Sequence, residues 1–212
     1  MPPSATEAPR RTQVQRREHT QRLLLDATIA CLAELGYSGT TTLEVERRAG
    51  VSRGARIHHF PSKAALLASA ADKLYEQLSN HYAQAFATAK NRRSDRQRLR
   101  AGLHLLWSIY QRPEYSAAIA LNVEARNDPE LLVQLRTVAM RHRALALQAA
   151  QQFFPALGKM RAEICVETIQ VAFAGLRIHD GVISDERHVE MVLTALEDLV
   201  MSHLESPATT AS

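Results

Sequence analysis

Arg53, Arg56, His58, His59 and Lys63 crowd into one short basic stretch, and their chemistry is that of recognising a polyanion. A guanidinium can give two parallel hydrogen bonds to O6 and N7 of guanine, worth about 1–3 kcal/mol of discrimination, or it can pair with a phosphate. Charge along the chain points the same way. Up to Lys63 there are ten Lys and Arg against six Asp and Glu, and beyond it sixteen against sixteen, so the whole net charge of +4 lies beside this stretch. Positive charge at a nucleic acid gains from counterion release. The alternative is a solvated basic surface. His58 and His59 do not form a metal pair, because neighbouring residues on a helix point about 100° apart.

Such groups need a rigid carrier, and residues 36 to 63 encode one. Thr41 can cap a short helix while Glu44, three residues on, can reach back to the capping amide, so Thr41-x-x-Glu44 reads as a capping box. Gly50 follows Ala49 where a helix end requires positive φ, and Ser52 caps a second helix from Arg53 to His59. Pro61 and Ser62 end it and restart the chain. Two short helices across a glycine turn, with a basic face beyond, form a helix-turn-helix facing double-stranded DNA. Capping alone also accounts for a hydroxyl at Thr42 or Ser52.

The block from Leu23 to Leu67 resembles the DNA-binding domain of the tetracycline-repressor (TetR) family of bacterial regulators. The matching features are an amphipathic helix ending at Gly36-Tyr37, then Gly39-Thr40-Thr41-Thr42, Ala49-Gly50-Val51-Ser52-Arg53-Gly54, His58-His59-Phe60, and Ser62-Lys63 leading to Leu66-Leu67. The resemblance implies that the helix opening at Thr41-Thr42 braces the DNA backbone while the next enters the major groove. By it, Arg53 and Arg56 are base readers, Gly54 and Ala55 permit close approach, His58 and His59 touch sugar and phosphate, and Lys63 clamps a phosphate. The sequence departs from the family at two places. Ile57 stands where many relatives carry a phosphate-binding tyrosine, and Arg56 stands where an inward apolar residue is common. Arg56 is therefore open to two readings: a base reader, or a side chain that packs its stem.

At 212 residues and 46% hydrophobic, with 8 Gly and 8 Pro, the chain suits an all-α fold. Apolar residues recur at helical spacing, as in Leu24, Ala27, Cys31 and Leu35. The predicted organisation is a disordered basic arm over 1–18, a helix-turn-helix domain over 19–65, a helical effector-binding and dimerisation domain over 66–205, and a flexible tail over 206–212. The arm follows the DNA backbone or enters an adjacent minor groove, or else is a plain solvated tail. Helices are predicted from Ser62 to Thr88, Asp95 to Gln111, Glu114 to Arg126, Pro129 to Phe154, Lys159 to His179 and Glu186 to His203, with Pro113, Pro129 and Pro155 at the breaks.

Cys31 and Cys165 lie on apolar faces and read as core thiols; no ligand cluster calls for a metal or other cofactor. No apolar run reaches the ~18–20 residues that span a membrane, and the N-terminus has no signal-peptide core, so a cytoplasmic protein is expected. No catalytic residue set is visible: a nucleophile elbow, a phosphate loop and a His-Glu zinc motif are all missing, which speaks against an enzyme.

The last two helices are apolar on more than one face. Ile164, Thr168, Val171, Gly175 and Ile178 form one stripe, and Val189, Leu193, Leu196 and Val200 another. Paired with a second copy they predict a four-helix homodimer interface; the alternative is burial inside a monomer. Twofold symmetry then predicts a palindromic operator with half-sites about 34–36 Å apart, or slightly more. The resemblance implies a small-molecule effector pocket among the middle helices. His104, Trp107, Tyr110, Tyr115, Asn122, Glu124 and Arg126 are its expected lining, and the aromatic ones read equally as simple core. The function expected is a repressor released from its operator by that effector; the alternative is an effector-independent architectural or protein-recruiting DNA binder.

Overall fold

Thr12 opens the first helix with a reciprocated capping box: Gln15 N donates to its hydroxyl at 3.2 Å, and its own N–H donates to Gln15 Oε1 at 3.0 Å. The computed structural model describes residues 12–89, 93–180, 182–183 and 185–205. Among these are nine α-helices: α1 (Gln13–Gly39), α2 (Thr42–Ala49), α3 (Arg53–His59), α4 (Lys63–Ala89), α5 (Asp95–Tyr110), α6 (Pro113–Glu124), α7 (Pro129–Phe153), α8 (Gly158–His179) and α9 (Glu186–Glu205). A 3₁₀ turn, Pro155–Leu157, joins α7 to α8.

The all-helical expectation holds, and the helices fall within a few residues of their predicted bounds. One boundary is corrected. Residues 13–18 are not an unstructured arm but the first turns of α1, because the Thr12 cap satisfies amides that would otherwise be left open. Residues 1–11 of that arm and the 206–212 tail lie outside the described residues. Near its end α1 breaks at Gly36, whose φ of 66° only glycine adopts without strain, and this bend turns Tyr37 towards the body of the protein.

Leu24, Ile29, Cys31, Leu32, Val45 and Phe60 pack the head, and Leu66, Leu67, Ala70 and Leu74 of α4 continue that core without interruption into the body. Leu66, Leu67 and Leu74 are at most 1% exposed, and burying each such side chain is worth about 1.5–3 kcal/mol. The head is thereby seated on α4. α1 also packs along α6, while α4 runs on to pack against α5 and α7. Polar links reinforce the seating: Lys73 Nζ meets Asp26 Oδ1 at 2.6 Å, and Ser62 Oγ donates to Glu130 Oε1 at 2.6 Å. Both thiols are buried and free.

Candidate nucleic-acid interface and ligand cavity

Thr41 caps α2, accepting from Glu44 N at 3.1 Å. The predicted box is only half made. Thr41 N donates instead to Gly39 O at 3.0 Å, and the Glu44 carboxylate is taken by Arg47 Nε and Nη2, both at 2.8 Å, and by Arg48 Nε at 2.7 Å. Charged donors outcompete a neutral amide for a carboxylate. Those bonds, Arg47's first, hold the Glu44 carboxyl down at about 2.

At the end of α2, Gly50 adopts φ 62° and ψ 34°, and its N–H returns to Arg47 O at 3.3 Å. Ser52 then caps α3, accepting from Ala55 N at 3.3 Å. With 3.6 residues per turn, Arg53, Gly54, Ile57 and His58 fall within one arc of about 140°, and Arg56 lies about 60° outside its Arg53 edge. The outward face carries Arg53, Gly54, Ile57 and His58, with Ala55 and His59 half-buried at its margins. Ile57 is 45% exposed. Burial and the neighbouring His58 push the His59 imidazole below its ordinary value, favouring its neutral form.

Arg56 is not on that outward face, and of its two readings the packed one is what the structure shows, which corrects the base-reading role. It is 7% exposed; Nε donates to Glu46 Oε1 at 2.9 Å and Nη1 to Phe60 O at 3.2 Å, so its guanidinium ties α3 to α2. Position 56 is only about 60° of helix from Arg53, so it is the Glu46 carboxylate across the Gly50 turn and the Phe60 carbonyl that hold the guanidinium inward.

Lys63 is likewise engaged within the protein. Its ammonium lies 4.3 Å from the Tyr37 ring centroid, burial lowers its pKa, and the Tyr37 hydroxyl donates to Asp128 Oδ2 at 3.1 Å. A free phosphate clamp is therefore not what the arrangement presents. Asp128 is meanwhile the cap of α7, accepting from Leu131 N at 3.0 Å. Thr41 and Ser52 are exposed, and Thr42 is half-buried.

A cavity of about 390 Å³ opens between α4, α5, α7 and α8. Tyr110 is the one residue of the expected lining that reaches it. Trp107 is buried edge-on against Phe173, centroids 5.7 Å apart, and Tyr115 lies against Tyr110 at 3.8 Å, behind the wall. His104 is exposed, 3.7 Å from Glu190. Asn122 is exposed and bonds the Tyr75 hydroxyl at 3.0 Å, while Glu124 is half-buried and Arg126 exposed. Asn122 and Glu124 stand in the last turn of α6 and Arg126 just beyond it, and none of the three lines the cavity. Nearness in sequence to the aromatics misled. The walls come instead from Tyr82 and Ala83 on α4, Leu103 and Leu106 on α5, Ala149 and Phe153 on α7, and Cys165, Val166 and Ile169 on α8. The signal available in sequence was the run of small residues in 144–150, ALALQAA, which leaves space beside α7.

On α8, Ile164 (44%), Val171 (70%) and Ile178 (57%) stand exposed with Thr168, and Gly175 lies half-buried in the same stripe. The partner stripe expected on α9 is corrected. Leu193, Leu196 and Val200 are buried inside the protomer and Val189 packs against the same core, because α9 must close the body over α5 and α8. Glu197, buried between them, accepts from Arg96 Nη1 at 2.8 Å. The exposed large apolar side chain of α9 is Met191. Among the described residues, no helix is long and apolar enough to cross a membrane.

Residues 24–70 match the family model for bacterial regulatory proteins of the tetR family. HTH-type transcriptional regulator CymR of Pseudomonas putida is 34% identical over 134 residues, 63% of this chain and 64% of that protein, so the match spans just under two thirds of its length. An uncharacterized HTH-type transcriptional regulator of Mycobacterium bovis is 32% identical over 193 residues, covering 88% of this chain and 96% of the relative. Among solved structures, a transcriptional regulator from Rhodococcus sp. Rha1 superposes with a TM-score of 0.68 at 21% identity, over 86% of this chain and 96% of that one. The multidrug binding protein EbrR, solved with imidazole, superposes with a TM-score of 0.65 at 18% identity, over 90% of this chain and 98% of that one. At such identities the superpositions speak for the fold alone.

Proposed function

The chain belongs to the TetR family and is a DNA-binding transcriptional regulator, and on that footing we propose that it is a homodimeric repressor released from a palindromic operator by a small molecule. The observation that carries this reading is the outward face of α3: Arg53, Gly54, Ile57 and His58 stand exposed while Arg56 braces the helix from behind. Arg53 reads guanine, and Ile57, one turn further on, lies against a thymine methyl group in the major groove. Thr41, Thr42, Ser52 and the two histidines hold the flanking phosphates. The domain boundary near residue 65 is functional rather than mechanical, since α4 belongs to both parts.

Two heads reach one operator when the exposed stripe of α8, with Met191, packs against its twofold copy. The effector occupies the cavity described above. α4 supports the coupling: Tyr82 lines the cavity, and Lys63, nineteen residues earlier on the same rigid helix, starts about 28 Å away beside α3. A ligand that fits better when α4 is displaced moves the heads out of register, and linkage obliges the operator to weaken ligand binding by the same factor. Such a protein acts where the chromosome is, in the cytoplasm. The test is fluorescence anisotropy with DNA fragments flanking its own gene. A dimer that selects one inverted repeat at least about 1,000-fold over random duplex is expected. Binding as a monomer, or without sequence preference at moderate salt, overturns the reading.

A further inference from the structure

The cavity is bounded by carbon and by neutral polar groups. No Asp, Glu, Lys, Arg or His is among its described lining residues. Its polar lining residues are Asn80, Gln148, Gln152, Gln170, Ser79, Tyr82 and Tyr110. Burial pushes the Tyr82 phenol up to about 12 and raises Tyr110 well above its ordinary value, so both stay protonated and neither is a counter-ion for a cation. Three ionisable groups on the flanking helices pair with other residues, although Arg98 Nε is buried without a partner. Arg98 sits behind Phe154, its guanidinium carbon 5.7 Å from the ring centroid, and is paired with Asp95. Arg143 is held by Glu163 at 2.6 Å and by Glu167. His142 lies 3.1 Å from Asp72 and 3.3 Å from Ser79 Oγ.

We infer that the effector is an uncharged, mainly apolar molecule with one or two hydrogen-bonding groups, and that compounds bearing a carboxylate, sulfonate or ammonium are excluded. This deepens the proposed function and rests on its assignment of the cavity as the effector site. An ion brought here gives up part of its hydration and meets amides and phenols but no opposite charge, so it binds more weakly than a neutral molecule of the same shape. The apolar walls repay transfer of a hydrophobic body from water. Size narrows the class further: about 390 Å³ is at the small end of the ~300–1,000 Å³ of small-molecule sites, which suits one or two rings or a medium-length chain.

Two dyes sharing one skeleton provide the test: N-phenyl-1-naphthylamine, which is neutral, and 8-anilino-1-naphthalenesulfonate, which adds a sulfonate. Titrated into the full-length protein, the neutral dye is expected to bind saturably at one site per chain, and the sulfonate at least about tenfold more weakly. Ala149→Trp, which fills the cavity, abolishes the neutral dye's signal, and 1-decanol displaces that dye from the unaltered protein whereas decanoate does not. The displacement arm holds even if the variant fails to fold. Equal binding of both dyes within roughly threefold overturns the inference, as do displacement by decanoate, binding of neither dye, and a neutral-dye signal that a folded Ala149→Trp retains. If the neutral dye fills the cavity and the operator complex is untouched by every cavity ligand, the effector reading falls while the chemistry of the occupant stands.

Discussion

Arg56 and Glu46 form an ion pair inside the head, Nε to Oε1 at 2.9 Å, with side chains only 9% and 10% exposed. It joins α3 to α2 behind the DNA-facing surface, and so fixes the angle at which Arg53 and Ile57 are offered. Truncating one partner leaves the other charge buried and unmatched. Glu46→Ala should therefore destabilise the protein by about 3 kcal/mol in urea unfolding, whereas the apolar pair Glu46→Leu with Arg56→Met should recover most of that loss. Arg56→Met should weaken DNA binding without relaxing preference at any single base pair. Loss of discrimination at one position would assign Arg56 to base reading after all.

Arg53 and Ile57 share the exposed face and should behave differently from Arg56. Arg53→Ala should cost about 1–3 kcal/mol at one guanine position of the operator and little at the others. For Ile57 the sharper probe is the DNA. Replacing thymine by deoxyuracil in each half-site removes a methyl group, which should weaken the unaltered protein and leave Ile57→Ala indifferent. Equal weakening of both proteins would exclude the methyl contact.

Val171 is 70% exposed at the middle of the α8 stripe. Val171→Asp places a charge where the twofold copy is proposed to pack, so sedimentation should show monomers with unchanged helix content. Operator affinity should fall at least about tenfold, because the two heads no longer bind as one unit. A Val171→Asp protein that remains dimeric would move the interface elsewhere.

Glu44 gives a pH dependence of defined sign. Its carboxyl is held at about 2, below an ordinary value of 4.5, by Arg47 and Arg48. A depressed folded value stabilises the protein above the unfolded value, and that increment fades as pH falls from about 4.5 towards 2. Glu44→Gln should lose the increment at neutral pH, and its stability should converge on that of the unaltered protein in this acid window. Parallel acid-unfolding curves for the two proteins would show that the pairing contributes nothing.

How much could be read in advance differs from element to element. α2 and α3 were legible to the residue because their ends are local chemistry: Thr41, Gly50 and Ser52 act within four residues of themselves. The Glu44 half of the capping box was misread because Arg48, a full turn on, competes for the same oxygens, and a motif of four residues does not include it. Arg56 carried two readings that periodicity alone did not separate, since its partner Glu46 lies across the Gly50 turn.

Sequence by itself determined the helices, their breaks, the family and the exposed arginine of the recognition face, all matters of spacing, capping and charge within a few residues. Tertiary structure alone decided which apolar stripe stays outside, which aromatic residues reach the cavity, and where Lys63 rests. Those outcomes depend on how separate helices divide one interior among themselves. Leu193, Leu196 and Val200 follow the same periodicity as Ile164, Val171 and Ile178, yet the former close the core and the latter face outward, because α9 packs over α5 and α8 while the far side of α8 is left uncovered within the protomer.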